Sequence, residues 1–251
     1  MNIFACIKQV PDTTTRIKLR GDGNGIDEAD IQWIISPHDE LAIEEALRLR
    51  EQQTGSIVTV LSAGPERVTD SLRMALAMGA DSAVRLDLPG DADSSMNARA
   101  LAAAIGKLGQ ADIVFTGKEA IDDGAAAVGQ TLAVFLDMPC VTVVNGIDYG
   151  DGAITCRRDV GGGSIEVIET PLPAVVAAQV GLNEPRYAKL PDIMKAKKKP
   201  LDVKTPADYG VEVASKVTLL KVESPAERKG GIKVASVDEL IDKLKNEAKV
   251  I

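Results

Sequence analysis

The stretch Ala111-Asp-Ile-Val-Phe-Thr-Gly-Lys-Glu-Ala-Ile-Asp-Asp-Gly-Ala-Ala-Ala-Val-Gly-Gln130 decides the fold. Ala111 to Phe115 is an apolar run of strand length, Thr116 and Gly117 end it, and Ala125 to Leu136 reads as a helix. A strand that feeds a helix through a glycine-bearing loop is half of a parallel crossover unit. Working outward, the same alternation occurs four times. Ile3 to Val10 reads as the first strand, ending at Pro11, and Pro37 to Gln53 as a helix. Ser36 is placed to cap that helix, Pro37 takes its first position, and Asp39 and Glu40 favour the positive end of its dipole. Ser56 to Leu61 is a strand, and the Gly64-Pro65 turn leads into a helix through Met78. Ala83 to Leu86 precedes the helix Met96 to Leu108. The pattern predicts an α/β fold: a Rossmann-like, mostly parallel sheet with helices on both faces.

After Met138-Pro139 the rhythm changes. Cys140 to Ile147, Ala153 to Arg158, Ser164 to Glu169 and Ala174 to Val180 are strand-like runs parted by glycine turns, which predicts an antiparallel extension. Asp12 to Asp30 is polar and carries Gly-Asp-Gly-Asn-Gly at 21 to 25, a hairpin or exposed excursion. Beyond Pro200 regularity is lost. Val213 to Val222 fits one strand, and Val237 to Lys249 an amphipathic helix with Leu240, Ile241 and Leu244 on one side. The division expected is residues 1–199 as an α/β nucleotide-binding domain and residues 200–251 as a C-terminal arm whose apolar residues need another surface.

The chain has 251 residues, 45% of them hydrophobic and 26% charged, which suits a globular protein able to bury a sizeable core. With 29 basic against 37 acidic residues the net charge is −8, and aromatics make up 3%. That balance argues against nucleic acid and anionic membranes as partners. No apolar run reaches the ~18 residues of a membrane span, and the N-terminus lacks the features of a secretory signal. Cys6, Cys140 and Cys156 are odd in number and sit in strand-like runs, which fits reduced, buried thiols. One histidine, His38, makes histidine metal sites and Ser/His catalysis poor fits, so no catalytic or metal-ligating residue is assigned.

Two segments carry functional chemistry. The first is the loop of the opening stretch, at the carboxyl edge of the sheet, where open parallel sheets bind ligands. Gly117 and Gly124 permit close backbone approach, the next helix offers free N–H groups to an anion, and Asp122 or Asp123 suits ribose hydroxyls or a helix cap. The loop is neither Gly-x-Gly-x-x-Gly nor a P-loop, and ordinary turn residues before a helix read the same way. The second is Gly181-Leu-Asn-Glu-Pro-Arg-Tyr-Ala-Lys-Leu-Pro-Asp-Ile-Met-Lys-Ala-Lys-Lys-Lys-Pro200. Pro185 and Pro191 delay helix formation, and Pro191 to Lys198 fits a short helix. It gathers Leu190, Ile193 and Met194 beside Lys195, Lys197, Lys198 and Lys199. An apolar tip ringed by cations suits docking to an acidic partner; the same residues also fit a loop pinned to its own domain with its lysines in water.

This second segment, with Leu-Asn-Glu-Pro-Arg-Tyr and Leu-Pro-Asp-Ile-Met-Lys-Ala-Lys-Lys-Lys, closely resembles the beta subunit of electron transfer flavoprotein, and the likeness extends over nearly the whole chain. The resemblance implies a recognition loop at residues 182–199, with Tyr187, Leu190, Pro191, Ile193, Met194, Lys195, Lys197 and Lys198 docking a partner and Leu190 matching the leucine that enters the partner's pocket. It implies structural AMP held by Cys6, Ser36, Pro37, His38, Asp39, Ala63, Gly117, Lys118, Glu119, Ala120, Ile121, Asp122, Asp123, Gly124, Ala125, Ala126, Ala127 and Val128. It further implies an alpha subunit that carries FAD and is contacted by the arm, acyl-CoA-dehydrogenase-like donors of fatty acid beta-oxidation, and a quinone oxidoreductase as acceptor. The chain itself would be an electron-carrier subunit and not an enzyme, in the bacterial cytoplasm, or in the mitochondrial matrix if eukaryotic.

The chain departs from the family at several positions. Ala125-Ala126-Ala127-Val128 replaces side chains that often reach the phosphate, which leaves that work to backbone N–H groups. Thr13 stands where a tyrosine is frequent and Gly161 where an acid is common. Val128 matches the electron-bifurcating branch, which holds a second FAD in place of AMP, whereas Asp123 and Gln130 match the AMP branch. His38 fits either a position near the flavin edge or a plain helix start. A freestanding adenine-nucleotide sensor remains a rival of another class. An adenylyl-transferring enzyme lacks its His-x-Gly-His or Ser-Gly-Gly-x-Asp-Ser signature here.

Overall fold

The structure, a computed structural model, describes residues 1–226 and 230–251. Two compact units emerge: residues 1–17 with 27–219, and residues 18–26 with 220–251. The larger unit runs β1 (Asn2–Cys6), β2 (Gln9–Pro11), β3 (Trp33–Ile35), α1 (Pro37–Gln52), β4 (Ile57–Gly64), α2 (Val68–Met78), β5 (Ser82–Asp87), α3 (Ser94–Leu108), β6 (Ile113–Gly117) and α4 (Val128–Leu136). It continues through β7 (Cys140–Tyr149), β8 (Ala153–Asp159), β9 (Ile165–Pro171), β10 (Ala174–Ala178), α5 (Leu190–Ala196) and β11 (Leu201–Lys204). Among the described residues, nine strands form one sheet in the order β11-β5-β4-β1-β6-β10-β7-β8-β9. All its pairings are parallel except β7–β8 and β8–β9. The expected mostly parallel α/β sheet with an antiparallel extension is what the chain forms.

Strand alternation explains why both faces are covered. Ile3 and Ala5 join one core with α1 and α2, while Phe4 and Cys6 join the other with α3 and α4. In β6, Ile113 and Phe115 face the first core and Val114 the second. Strands buried on both faces read as unbroken apolar runs, not as alternating ones.

Several local expectations change. The run Ile3 to Val10 is not one strand: Ile7 N–H bonds the carbonyl of Leu61 at 2.9 Å, the chain turns, and β2 pairs antiparallel with β3. Ala174 to Val180 is not part of the antiparallel extension, because β10 returns between β6 and β7, parallel to both and wholly buried. The helix expected from Ala125 starts at Val128, since Gly124 (φ 58°) and Ala126 (φ 47°) are left-handed and cannot continue it. Ser36 makes no side-chain cap bond. Past Pro200 the chain first adds β11 beside β5, and Val213 to Val222 forms no strand. In the smaller unit an isolated bridge joins Leu19 and Ile26, and α6 (Val237–Asp242) passes into a π-helical turn, Lys243–Glu247, without burying a residue. Among the described residues no helix is long and apolar enough to cross a membrane.

Candidate functional site

The strand order places a crevice where β1 and β6 adjoin. From β1 the chain builds outward to β4 and β5, and the next strand, β6, falls on the opposite side. Ligands of open α/β sheets bind at such a reversal, beyond the carboxyl ends of the strands. A cavity of about 350 Å³ occupies it, within the lower part of the size range of small-molecule sites. Its walls come from the ends of β1, β4 and β6, the loop 118–128, the start of α4, and the β5–α3 connection around Pro89–Ser94.

A buried carboxylate holds the mouth together. Asp39 accepts hydrogen bonds from Lys8 N–H at 2.7 Å through Oδ2 and from Gly117 N–H at 2.8 Å through Oδ1. It therefore ties the first turn of α1 to the ends of β1 and β6. Asp39 keeps its expected place in the first turn of α1 and makes these two bonds in addition. Burial pushes its carboxyl up to about 7, against the two backbone donors, which favour the ionised form. The nearby Cys6 thiol is raised by burial and then by the Asp39 charge, so it stays neutral.

The titration has a testable sign. A folded-state pKa above the unfolded carboxylate value means that Asp39 favours folding at low pH, and that this contribution is lost as pH rises through about 7. Across pH 6 to 8 the loss is about 1.4 kcal/mol. Urea denaturation of Asp39→Asn is expected to show a stability profile flatter than wild type by that amount, and equal slopes would exclude Asp39 as the titrating group.

Loop 118–128 closes one side. Lys8 Nζ bridges Asp122 Oδ1 at 2.8 Å and Asp123 Oδ2 at 2.9 Å. Burial alone would lower the Lys8 ammonium, but its two carboxylate partners hold it above the usual lysine value. Asp123 Oδ1 also accepts from Ala125 N–H at 3.0 Å, and burial opposes, without cancelling, the donors that lower its pKa. The walls carry Lys8, Arg67 and Lys118 against Asp39, Asp91, Glu119, Asp122 and Asp123. Lys118 pairs with Glu119 at 3.2 Å, so side-chain charge does not favour an anion here. Backbone does: Ala127 leaves α4 without a side-chain cap, and the first-turn N–H groups of a helix have no partner within it. Two polar atoms of the wall, Thr116 Oγ1 and Asn97 Oδ1, are buried without a partner. Orphaned acceptors of this kind fit a ligand that brings hydroxyl or amino donors.

Of the residues expected at the nucleotide site, Cys6, Asp39, Ala63, Gly117, Lys118, Glu119, Ala120, Asp122, Asp123 and Ala125 to Val128 line the cavity. Ser36, Pro37, His38, Ile121 and Gly124 are not in its wall. His38 Nε2 lies 3.0 Å from Gln179 Oε1, which also accepts from Val180 N–H, and His38 Nδ1 is buried without a partner. Lys8, Gln9, Arg67, Asn97 and Thr116 line the cavity and were not anticipated. Arg67 stacks 3.5 Å from the centre of the Trp33 ring and donates to Gln9 Oε1 at 2.7 Å.

The second segment divides into a pinned part and a displayed part. Arg186 donates to both oxygens of Glu44 (2.8 and 3.0 Å) and to Glu51 (2.6 Å), and Asn183 donates to Leu41 O (3.0 Å) and Glu45 Oε2 (2.9 Å). Past this anchor, Tyr187 is 95%, Leu190 74% and Met194 57% exposed. Ile193 instead packs against the core, and Ala196 is buried. Pro191, Lys195, Lys197 and Lys198 are exposed, whereas Lys199 is half-buried.

Residues 24–209 match the family model described as the electron transfer flavoprotein domain. The chain is 39% identical over 251 residues to an electron transfer flavoprotein subunit beta of Bradyrhizobium diazoefficiens, with both chains covered in full. It is 40% identical over 254 residues to a mitochondrial one of Oryza sativa subsp. indica, again with both covered in full. With the Homo sapiens subunit it shares 37% identity over 248 residues, 98% of this chain and 97% of that one.

Proposed function

Because this chain belongs to the electron transfer flavoprotein family, as a beta subunit, we propose that it binds AMP as a structural ligand, buttresses the FAD of an alpha subunit and docks acyl-CoA-dehydrogenase-type donors. The observation that carries the nucleotide reading is the cavity at the β1–β6 reversal, with an uncapped helix start on one side and orphaned Thr116 and Asn97 oxygens on another. In this reading the N–H groups of Val128, Gly129 and Gln130 receive the phosphate, which supplies the negative charge that an open helix start favours. Asp122 and Asp123, held by Lys8, accept from ribose hydroxyls. A volume of about 350 Å³ favours a mononucleotide over the far larger FAD.

The redox chemistry is supplied by the flavin of the alpha subunit. This chain contributes binding and orientation, which makes it a carrier subunit and not an enzyme. The arm is assigned to the contact with that alpha subunit: Leu220, Ile232 and Val237 are all at least 70% exposed, and a partner surface would cover them. The exposed apolar tip of α5 among Lys195, Lys197 and Lys198 suits an acidic, pocket-bearing donor. A quinone oxidoreductase takes the electrons onward. The free thiols Cys6, Cys140 and Cys156 suit a reducing compartment, the bacterial cytoplasm or the mitochondrial matrix.

The test is nucleotide content. The chain is co-expressed with its alpha subunit, the complex is denatured, and the released small molecules are separated and counted. One FAD and one AMP per heterodimer is the expected result. Two FAD and no AMP would replace AMP by a second flavin, as in bifurcating relatives, and adenine nucleotide without a partner would favour a sensor.

A further inference from the structure

The lysine run after α5 is not one functional group. Lys195, Lys197 and Lys198 are exposed, but Lys199 turns inward and donates from Nζ to the carbonyls of Leu76 (3.0 Å) and Ala80 (2.6 Å), at the C-terminal end of α2. Burial lowers its pKa, as it does for an ammonium used inside a fold. In the opposite direction, Arg73 of α2 donates from Nη1 to the carbonyls of Ala196 (2.9 Å), the last residue of α5, and of Lys199 (2.8 Å), three residues beyond it. Each helix thus ends on a cation supplied by the other segment. Terminal carbonyls have no partner within their own helix, and a cation there also complements the dipole.

The clamp matters because α5 cannot hold its own shape. It has seven residues and no side-chain N-cap bond, far below the length at which a helix persists alone. Its inward contacts are few, Ile193 and Ala196. What fixes the direction of Leu190 and Met194 is therefore the Arg73–Lys199 exchange, together with the Arg186 anchor before α5 and β11 after it. We propose that Arg73 and Lys199 are positioning residues of the docking surface, setting the orientation from which Leu190 and Met194 meet the donor, and that Lys199 supplies no docking charge. This rests on the docking reading above.

The experiment uses the heterodimer and two readouts. One is the second-order rate of flavin reduction by an acyl-CoA dehydrogenase as a function of ionic strength. The other is amide hydrogen exchange of residues 190–199, which needs no donor. Arg73→Met and Lys199→Met are each expected to speed that exchange and to slow transfer about tenfold, equivalent to about 1.4 kcal/mol, without altering the salt dependence. Arg73→Lys, which keeps a donor, should recover part of both. Lys195→Met and Lys197→Met should do the reverse: exchange unchanged, salt dependence weakened. If Lys199→Met weakens the salt dependence and leaves exchange as in wild type, Lys199 is a docking charge and the proposal fails. Faster exchange with unchanged transfer, in a protein where Leu190→Ala slows transfer, refutes positioning but keeps docking. Normal transfer by Leu190→Ala overturns the docking reading itself, and positioning for docking with it.

Discussion

Gly117→Ala is expected to lower stability by about 3 kcal/mol or more and to prevent the cavity from holding the proposed nucleotide. A Cβ at Gly117 would overlap Asp39 Oδ1 and lie 2.8 Å from His38 Cβ and 2.9 Å from the His38 carbonyl carbon. The last of these is backbone in the first turn of α1 and cannot rotate away. Either α1 or the end of β6 must shift, and overpacking of this kind costs about 1–3 kcal/mol. The shift also separates Asp39 from the Gly117 N–H, which leaves a buried polar pair unmade at a further cost of about 1–3 kcal/mol. For a chain of this length each kcal/mol moves the melting temperature by about 2–4 °C. Calorimetry of this chain should therefore show a drop of about 6–12 °C, with less nucleotide released when the heterodimer is denatured. Gly106→Ala is the control: nothing lies within 4 Å of its Cβ, and alanine suits a helix interior better than glycine. A Gly117→Ala melt within about 2 °C of wild type would show that the strand ends tolerate separation, and the latch role of Asp39 would be wrong.

The same position shows what the sequence could and could not reveal. Strands such as Ile113–Gly117 and Ala174–Ala178 are legible because residues buried on both faces leave unbroken apolar runs. The loop after Gly117 is legible because glycine and aspartate between a strand and a helix have few other uses. Thr116 and Lys8 were not, although each lies just at or beyond a strand end. Their place in the cavity depends on β1 and β6 being neighbours, a fact of strand order that no local pattern carries. Asp39 illustrates the same gap. An acid in the first turn of a helix satisfies the dipole rule, so nothing nearby in the chain hints that it binds Gly117, 78 positions later. In the lysine run, charge alone made Lys195, Lys197, Lys198 and Lys199 equivalent, and only the packing of α5 on α2 sets Lys199 apart. Ser36 satisfied a capping preference that the backbone did not use.

Arg186→Ala is expected to destabilise the protein by about 2–3 kcal/mol at neutral pH, because it strands a buried carboxylate. Glu44 is 3% exposed and receives the fork of Arg186 on both oxygens as well as Arg186 N–H at 3.1 Å. Removing one partner of a buried pair typically costs about 3–5 kcal/mol. Arg48, 3.0 Å from Glu44 Oε1, reduces that figure, as does the partial exposure of the Arg186 side chain. Lysine cannot make the two-pronged contact, so Arg186→Lys should recover only part of the loss. The pH dependence carries the sign. Burial opposes, but Arg186 overcomes, so Glu44 sits below the usual glutamate value. Its contribution is present above the unfolded carboxylate pKa and is lost as pH falls through the lower folded one. The difference between wild type and Arg186→Ala, measured by urea denaturation, should therefore be largest near neutrality and shrink below about pH 4. A difference under about 0.5 kcal/mol at neutral pH would place the pair among surface ion pairs of little consequence. In that case the Gly181–Arg186 segment would be held by the bonds of Asn183 to Leu41 and Glu45 and by the packing of Leu182, and the direction of α5 would rest on its clamp to α2 and on β11.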